Sequence, residues 1–557
     1  MRKSGAGTGL DGGGYAASGG NGVDGIRDGG IVNSVAGPRG SWKPDGSRKG
    51  GTVWVEGMGA ICDLLASAGL RRLEAGMRPG AADVVVRLAG AEAGTSKRAA
   101  SEAAGADQRV AAVVGGDAGA GSMPDRAEAF ASGGQAGAWL WNAAADKVGA
   151  LAPAELDRRL SREGLRSAIR ASGDAAADAA FGWRTSSIGA GALSLRASDT
   201  TYVVTVFGLE APVVRPDPGD HAAGRELARR LGRASARALY ALGLELGTVT
   251  WQVNASGRRG VIVRLAASIG GLDEAGARRL ADAASAFALG WAGETAGEAP
   301  DALLGADPEF VMLSAAGRIV PASKYFGPGE PAGSDSVVVR GVQRWPIAEL
   351  RPRPAREPGV LAQRIRRLLQ DAAARTAGAG LRWRAGAVPV RGLPLGGHLH
   401  FSGIALTSER LRALDNALAL PLRLLEPAGA GRRRPRYGAL GDYRPKAHGG
   451  FEYRTPPSWL VSPRLALGVL SLAKLAAEHA RELSGCRPLD ADALRDAFYD
   501  GEPALLRQAA SVVRRALAAL PAYARYRDAV DPLFDAIEAG RVWDESEDIR
   551  RRWRIPE

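Results

Sequence analysis

Three short apolar stretches in the second half of the chain carry ionisable residues two positions apart: Glu349 and Arg351 in AELRP, His398 and His400 in GGHLHFSG, Glu452 and Arg454 in FEYRTP. Side chains two apart on a β-strand share a face. Read as strands, the three stretches each present both ionisable groups to one side and turn Leu350, Leu399 or Tyr453 to the other. A fourth stretch, GADPEF at 305–310, adds Glu309. A sheet that gathers these groups on one face is the strongest constraint on the fold. The alternative is a solvated face on which each pair is merely wetted. Against it, two of the five histidines in the chain stand as His-x-His behind Gly396 and Gly397, which permit close backbone approach. A lone histidine would more often be a satisfied core residue.

At 557 residues the chain is long enough for two or three domains. Its net charge of +13 suggests phosphate-bearing partners, but the excess is arginine accompanied by extreme Ala and Gly usage. The true basic clusters are Arg432, Arg433 and Arg434 with Arg436, and 550–554. With Trp553 the one aromatic inside either cluster, neither carries the repeated interleaved aromatics of a single-strand binding platform, so nucleic acid is disfavoured as a partner. The first cluster has a second use, as a clamp for nucleotide or substrate phosphates. Cys62 and Cys486 stand far apart and imply no disulfide framework, which fits a reducing cytoplasm. The N-terminus lacks the apolar core of a signal peptide, and no run of about 18 apolar residues occurs. A cytoplasmic protein without a membrane partner is expected.

Residues 1–50 are dominated by Gly, Ser, Asn and Asp and are expected to be a disordered tail. An α/β region over 51–290 follows, with a low-complexity insertion at about 90–135. In it the pattern predicts strands at 52–55 and 83–88 with a helix over 61–73 between them, a buried strand at 201–209, a helix over 225–242, and a hairpin of 247–253 and 261–265. The region at 300–485 holds all four polar motifs. It is expected to contain a hairpin around 314–317, strands at 337–340, 345–351 and 385–390, and helices over 359–376, after Thr407 as N-cap, and after Ser462 and Pro463. Residues 486–557 read as a C-terminal helical extension. The leucine stripe at 411, 414, 418, 422 and 425 is core.

Carboxylates at Glu309, Glu349 and Glu452 with one or two imidazoles suit magnesium or manganese, hard cations that favour oxygen ligands. Zinc, held by the His-x-His and one carboxylate, is the competing reading and would imply a hydrolase. Arg351, Arg444, Lys446 and Arg454 offer positive charge to a transferring phosphoryl group or a substrate carboxylate. Individually, each of them could be a surface ion pair of little worth.

The ordered set GADPEF, ELRP, GGHLHFSG, LDNALALPL at 414–422 and YGALGDYRPKAHGGFEYRTPPSW at 437–459 resembles the amidoligases, phage and bacterial carboxylate-amine ligases of the glutamine synthetase and glutamate-cysteine ligase superfamily. The resemblance implies an α+β fold, a glutamine synthetase-like antiparallel sheet with packed helices, curving around a site for ATP and magnesium. It implies that Glu309, Glu349, His398 and Glu452 bind metal and that Arg454 steadies phosphate. Arg444 and Lys446 then touch nucleotide phosphates or an acidic substrate, and His400 acts beside His398. Asp307, separated from Glu309 by Pro308, is either a ligand or a turn residue. Within 51–290, strand, helix and hairpin resemble a degenerate ATP-grasp fold whose second hairpin strand lacks the expected acidic residue and Asn. The reaction implied is phosphorylation of a small-molecule or peptide carboxylate by ATP, followed by attack of an amine. A non-catalytic scaffold is the alternative from another class.

Overall fold

The computed structural model describes residues 50–88, 138–169, 199–296, 300–339, 341–447 and 449–556. The tail expected to be disordered, apart from Gly50, and the low-complexity insertion lie outside these residues. The described residues form three sheets with packed helices.

The first sheet is parallel, in the order β2-β1-β3-β4, from β1 (Val53–Glu56), β2 (Arg71–Arg72), β3 (Val84–Arg87) and β4 (Trp139–Trp141). The helix between β1 and β2 spans Ala60–Ser67, shorter than the periodicity predicts. Gly69, at φ 100°, turns the chain out of the helix, and Arg71 and Arg72 pair with β1 instead. Trp139, Trp141 and Phe207 pack with Phe287 and Trp291 of the long helix Glu274–Ala296, joining this sheet to the next.

The second sheet is antiparallel, in the order β6-β5-β7-β8, from β5 (Thr200–Phe207), β6 (Glu210–Arg215), β7 (Leu246–Val253) and β8 (Gly260–Ala266). The helix Ala222–Ala241 covers it through Leu231, Ala238 and Leu239. Along β7, buried Val249, Trp251 and Val253 alternate with less buried neighbours, and with Val204 and Ile262 they give this sheet its apolar face.

The third sheet has eight strands, all antiparallel to their neighbours: β9 (Leu303–Leu313), β10 (Ile319–Val320), β11 (Ala332–Val339), β12 (Val342–Leu350), β13 (Arg382–Arg384), β14 (Gly397–Ser402), β15 (Tyr443–Pro445) and β16 (Phe451–Tyr453). The main path is β11-β12-β9-β14-β16-β15, with β10 and β13 also on β9. Pairing of β9 with β14 ends at Pro308, and pairing with β12 begins at Glu309. The proline, which cannot donate to a ladder, thus sits at the handover between neighbours. Residues 385–390 are not the expected strand. The strand ends at Arg384, Gly386 adopts φ 129°, and the N–H groups of Ala387 and Val388 donate to the Glu545 carboxylate rather than to another strand.

One apolar face of this sheet is buried under helices. Phe310 stacks on Trp383 and Phe401 on Phe451, and the core continues without a break into Leu411, Leu414, Leu418, Leu470, Phe498 and Phe534. The Thr407 hydroxyl caps its helix by accepting from the Arg410 N–H at 3.1 Å, and Ser462 accepts from Leu465 in the same way at 3.2 Å. The leucine stripe runs through a π-helical turn at Asp415–Ala419 before the helix Leu420–Leu425. Residues after 486 form the helices Asp492–Asp500, Pro503–Ala518, Tyr523–Glu538 and Ile549–Trp553, which share the core of the third sheet. Among the described residues no helix is long and apolar enough to cross a membrane.

Candidate active site

Residues directly opposite one another on antiparallel strands point to the same face. In the third sheet His398 lies opposite Asp307, His400 opposite Glu452, Arg444 opposite Glu452, and Glu349 opposite Glu309. Strands separated widely in sequence therefore deliver their polar side chains to the face opposite the apolar core. Two glycines permit the close approach. A Cβ on Gly397 would meet Pro457 O at 2.3 Å and the Trp459 ring at 2.6 Å, and one on Gly305 would meet the His400 Cβ at 3.2 Å.

The centre of the face is a knot of Asp307, His398 and Glu452, whose potential ligand atoms lie within 4.8 Å of one another. His398 Nδ1 is 3.1 Å from Asp307 Oδ1 and 3.4 Å from Glu452 Oε1. His400 Nε2 is 3.0 Å from Asp307 Oδ2. Glu452 is wholly buried and meets three cations: Arg454 Nε at 3.1 Å, Arg444 Nη1 at 3.4 Å, and the ammonium of Lys446 in close contact. Asp307, left open by the sequence as ligand or turn residue, is no turn residue, because the strand runs straight through it.

Glu309 and Glu349 sit beside this knot. Glu309 accepts the Gly396 N–H at 2.6 Å, and Glu349 pairs closely with Arg351, whose Nη1 also reaches Glu330 O at 3.1 Å. Thus Glu309, Glu349, His398, His400, Arg351, Arg444, Lys446, Glu452 and Arg454 occupy one sheet face. Only His398 and Glu452 of the four expected ligands fall in the tight knot, with Asp307 as the third member. Sequence reasoning missed Asp335 of β11, whose charge acts on both Glu309 and Glu349. No spacing signal marks it, since its position depends on a register shift between Asp335 and Val337.

The electrostatics are those of crowded acids. Burial pushes the Glu309 carboxyl up to about 7. Burial and then the charge of Asp307 push Glu349 up to about 9, against the pull of Arg351. Burial also opposes the charge on Asp307, but the imidazoles of His398 and His400 outweigh it and hold this carboxyl far below the usual range. The His398 imidazole is disfavoured as a cation by burial, yet Asp307 brings its net shift upward. Burial opposes ionisation of Glu452 too, and the Lys446 ammonium reverses the balance.

A hard divalent cation fits this set. The buried Asp307 Oδ1 and Glu452 Oε1 accept no hydrogen bond of good geometry, and buried oxygens normally have a partner. A 2+ charge near them would also favour the ionised forms of Glu309 and Glu349, which burial disfavours. Four carboxylates with one imidazole form an oxygen-rich donor set.

Comparison with known proteins agrees with the motifs. Residues 304–555 match the family model "Phage phiEco32-like COOH.NH2 ligase-type 2". No curated protein matches the chain. A solved structure described as "Crystal structure of novel glutamine synthase homolog" is similar at 16% identity over 42% of this chain and 70% of that one, with a TM-score of 0.20.

Proposed function

We propose, on the premise that residues 304–555 are a carboxylate-amine ligase-type region, that the protein is an ATP-dependent ligase forming an amide or isopeptide bond through an acyl phosphate. The observation that carries this reading is the buried Asp307, His398 and Glu452 knot rimmed by Lys446, Arg444 and Arg454. Such a face holds metal-binding acids beside cations suited to phosphate, which is what phosphoryl transfer to a carboxylate requires.

Asp307, His398 and Glu452 would hold magnesium or manganese, with Glu309 and Glu349 next to them. The ion, when bound, supplies charge neutralisation for the phosphates of ATP. Arg454, Arg444 and Lys446 are anchored to Glu452 and so hold their positive charge where a transferring phosphoryl group can be met. His400 fixes one oxygen of Asp307 and, being only partly buried, faces the substrate side. Arg351 orients Glu349. In the first step the γ-phosphoryl passes to the substrate carboxylate, whose oxygen becomes part of a leaving group. In the second an amine attacks the acyl carbon, loses its proton, and inorganic phosphate departs. The substrates are a small-molecule or peptide carboxylate and an amine, met in the cytoplasm.

ADP release from magnesium-ATP, with a pooled small-metabolite extract as substrate source, tests the reading. Release should need the extract and fall on the order of 10²-fold or more in Glu452→Ala. Equal release by Glu452→Ala would remove the site assignment. The β7–β8 hairpin we assign to a degenerate ATP-grasp-like region, because residues 261–267 carry no carboxylate. One bound ATP per chain is expected; two would overturn that assignment.

A further inference from the structure

The arginines of the 432–436 cluster have different fates. Arg432 and Arg436 are exposed, and Arg436 lies over the Tyr437 ring. Arg434 is buried and fully engaged: its Nη1 and Nη2 donate to the two Glu426 oxygens at 2.8 and 2.6 Å, and its Nε donates to Gly438 O at 3.1 Å. Arg433 is equally buried, at 6% exposure, but its Nε and Nη1 find no hydrogen-bond partner, and no described carboxylate pairs with it.

A buried guanidinium without a counter-ion is costly, and proteins do not ordinarily keep one. Arg433 ends the turn Ala428–Arg433 and packs against Gly438, where an added Cβ would stand 3.0 Å from its Cζ. That same Cβ would lie 2.7 Å from Thr455 O, the residue after Arg454. Burial and the neighbouring Arg434 disfavour the Arg433 charge; Glu426, then Glu309 and Asp442, act the other way without outweighing them, and the Asp442 carbonyl accepts the Arg454 backbone N–H at 2.8 Å. The unpaired fork thus lies alongside the segment that carries the rim cations.

We propose that Arg433 is a binding residue for an oxyanion of a substrate, a carboxylate or a phosphate, held by its planar fork in a site that is complete only when the anion is present. The planar fork matches either group, and the shielding around it excludes the water that would otherwise solvate the charge. The inference deepens the ligase reading and rests on it for the origin of the anion, but its test needs no turnover.

The experiment is thermal unfolding of the full chain in a zwitterionic buffer, alone and with inorganic phosphate, ADP or succinate in turn, for the wild type, Arg433→Met and Arg434→Met. At saturation one or more of the anions should raise the wild-type Tm by about 3 °C. Arg433→Met should unfold at the wild-type temperature or above it and lose that response, since it removes a charge that has no partner. Arg434→Met should unfold at lower temperature, because it removes both hydrogen bonds to buried Glu426 and leaves it only the more distant Arg423 at 3.6 Å. A response to phosphate and ADP alone assigns the fork to the nucleotide, and one to succinate alone assigns it to the carboxylate substrate. The proposal is overturned if Arg433→Met fails to fold or melts well below the wild type, if it keeps the anion response, or if none of the three anions shifts the wild type. Loss of ADP release in Glu452→Ala is a separate result, so the ligase reading and this inference can fail independently.

Discussion

Glu309, with a carboxyl pushed up to about 7, and Glu349, pushed up to about 9, are both disfavoured as anions in the folded chain. The unfolded chain releases their protons near pH 4 to 5. Between that value and the folded pKa values the native state binds more protons than the unfolded state, so stability falls as pH rises. His398, shifted upward, acts in the same sense above its unfolded value, whereas Asp307 exerts its opposite effect only in strong acid. In chelator, the urea midpoint should therefore drop steadily from about pH 5 to about pH 9. Glu349→Gln should flatten the upper part of that slope, and magnesium should flatten most of it. A midpoint that rises over this range in chelator would show that these carboxyls are ionised without help. At this scale the sequence was most legible where two ionisable residues shared a strand face: Glu349 with Arg351, His398 with His400, Glu452 with Arg454. It was silent on Arg433, because whether a buried arginine has a partner is decided by Glu426 choosing Arg434, a matter of packing and not of spacing.

Among elements, the π-helical turn at Asp415–Ala419 ties the site to its surroundings. Asp415 is buried and its carboxyl, raised by burial to about 6, accepts the Tyr453 hydroxyl at 2.7 Å, the Tyr240 hydroxyl at 2.8 Å and the Gly441 N–H at 3.0 Å. Tyr453 stands between Glu452 and Arg454 on β16, and Gly441 opens the loop that leads to Arg444. One carboxylate thus fixes the strand and the loop from behind. Tyr453→Phe leaves Asp415 short of a donor and should cost about 1–3 kcal/mol in denaturant unfolding. The same variant should lower ADP release, because β16 and the loop lose their common anchor; a stability loss with release unchanged would separate the anchor from the site. The leucine stripe was readable as core, but the polar Asp415 and Asn416 inside it were the signal that this helix does more than pack. The helix expected over 61–73 and the strand expected over 385–390 failed for a shared reason: Gly69 and Gly386 hold left-handed or unusual φ that apolar periodicity does not register.

On the scale of the molecule, the chain before 300 is bound to the region after it by buried charge as well as apolar contact. Glu163 accepts from Arg495 Nε at 2.6 Å and closely from the Tyr499 hydroxyl, and Arg412 reaches Glu245 at 3.0 Å. Removing one partner strands the other, so Glu163→Ala should destabilise the whole chain by about 3–5 kcal/mol, read as a single shifted unfolding transition. An early separate transition for residues 50–296 would instead show that the two parts unfold independently. The family resemblance was legible because most of its motifs fall on strands of one sheet, with LDNALALPL in the helix behind it, whereas this docking was not, since it joins the turn residues Glu163 and Glu245 to helices far along the chain with no shared pattern. The handover of β9 from β14 to β12 at Pro308 also bears on how such a gene can vary. Substitutions along β9 and β14 alter one contact at a time, but a single inserted or deleted codon in either strand exchanges its two faces, carrying His398 and His400 or Asp307 into the core and Leu399 into the site. Lineages of this protein should therefore differ freely in loop length while β9 and β14 change only letter by letter, a constraint on descent set by the pleat of one strand.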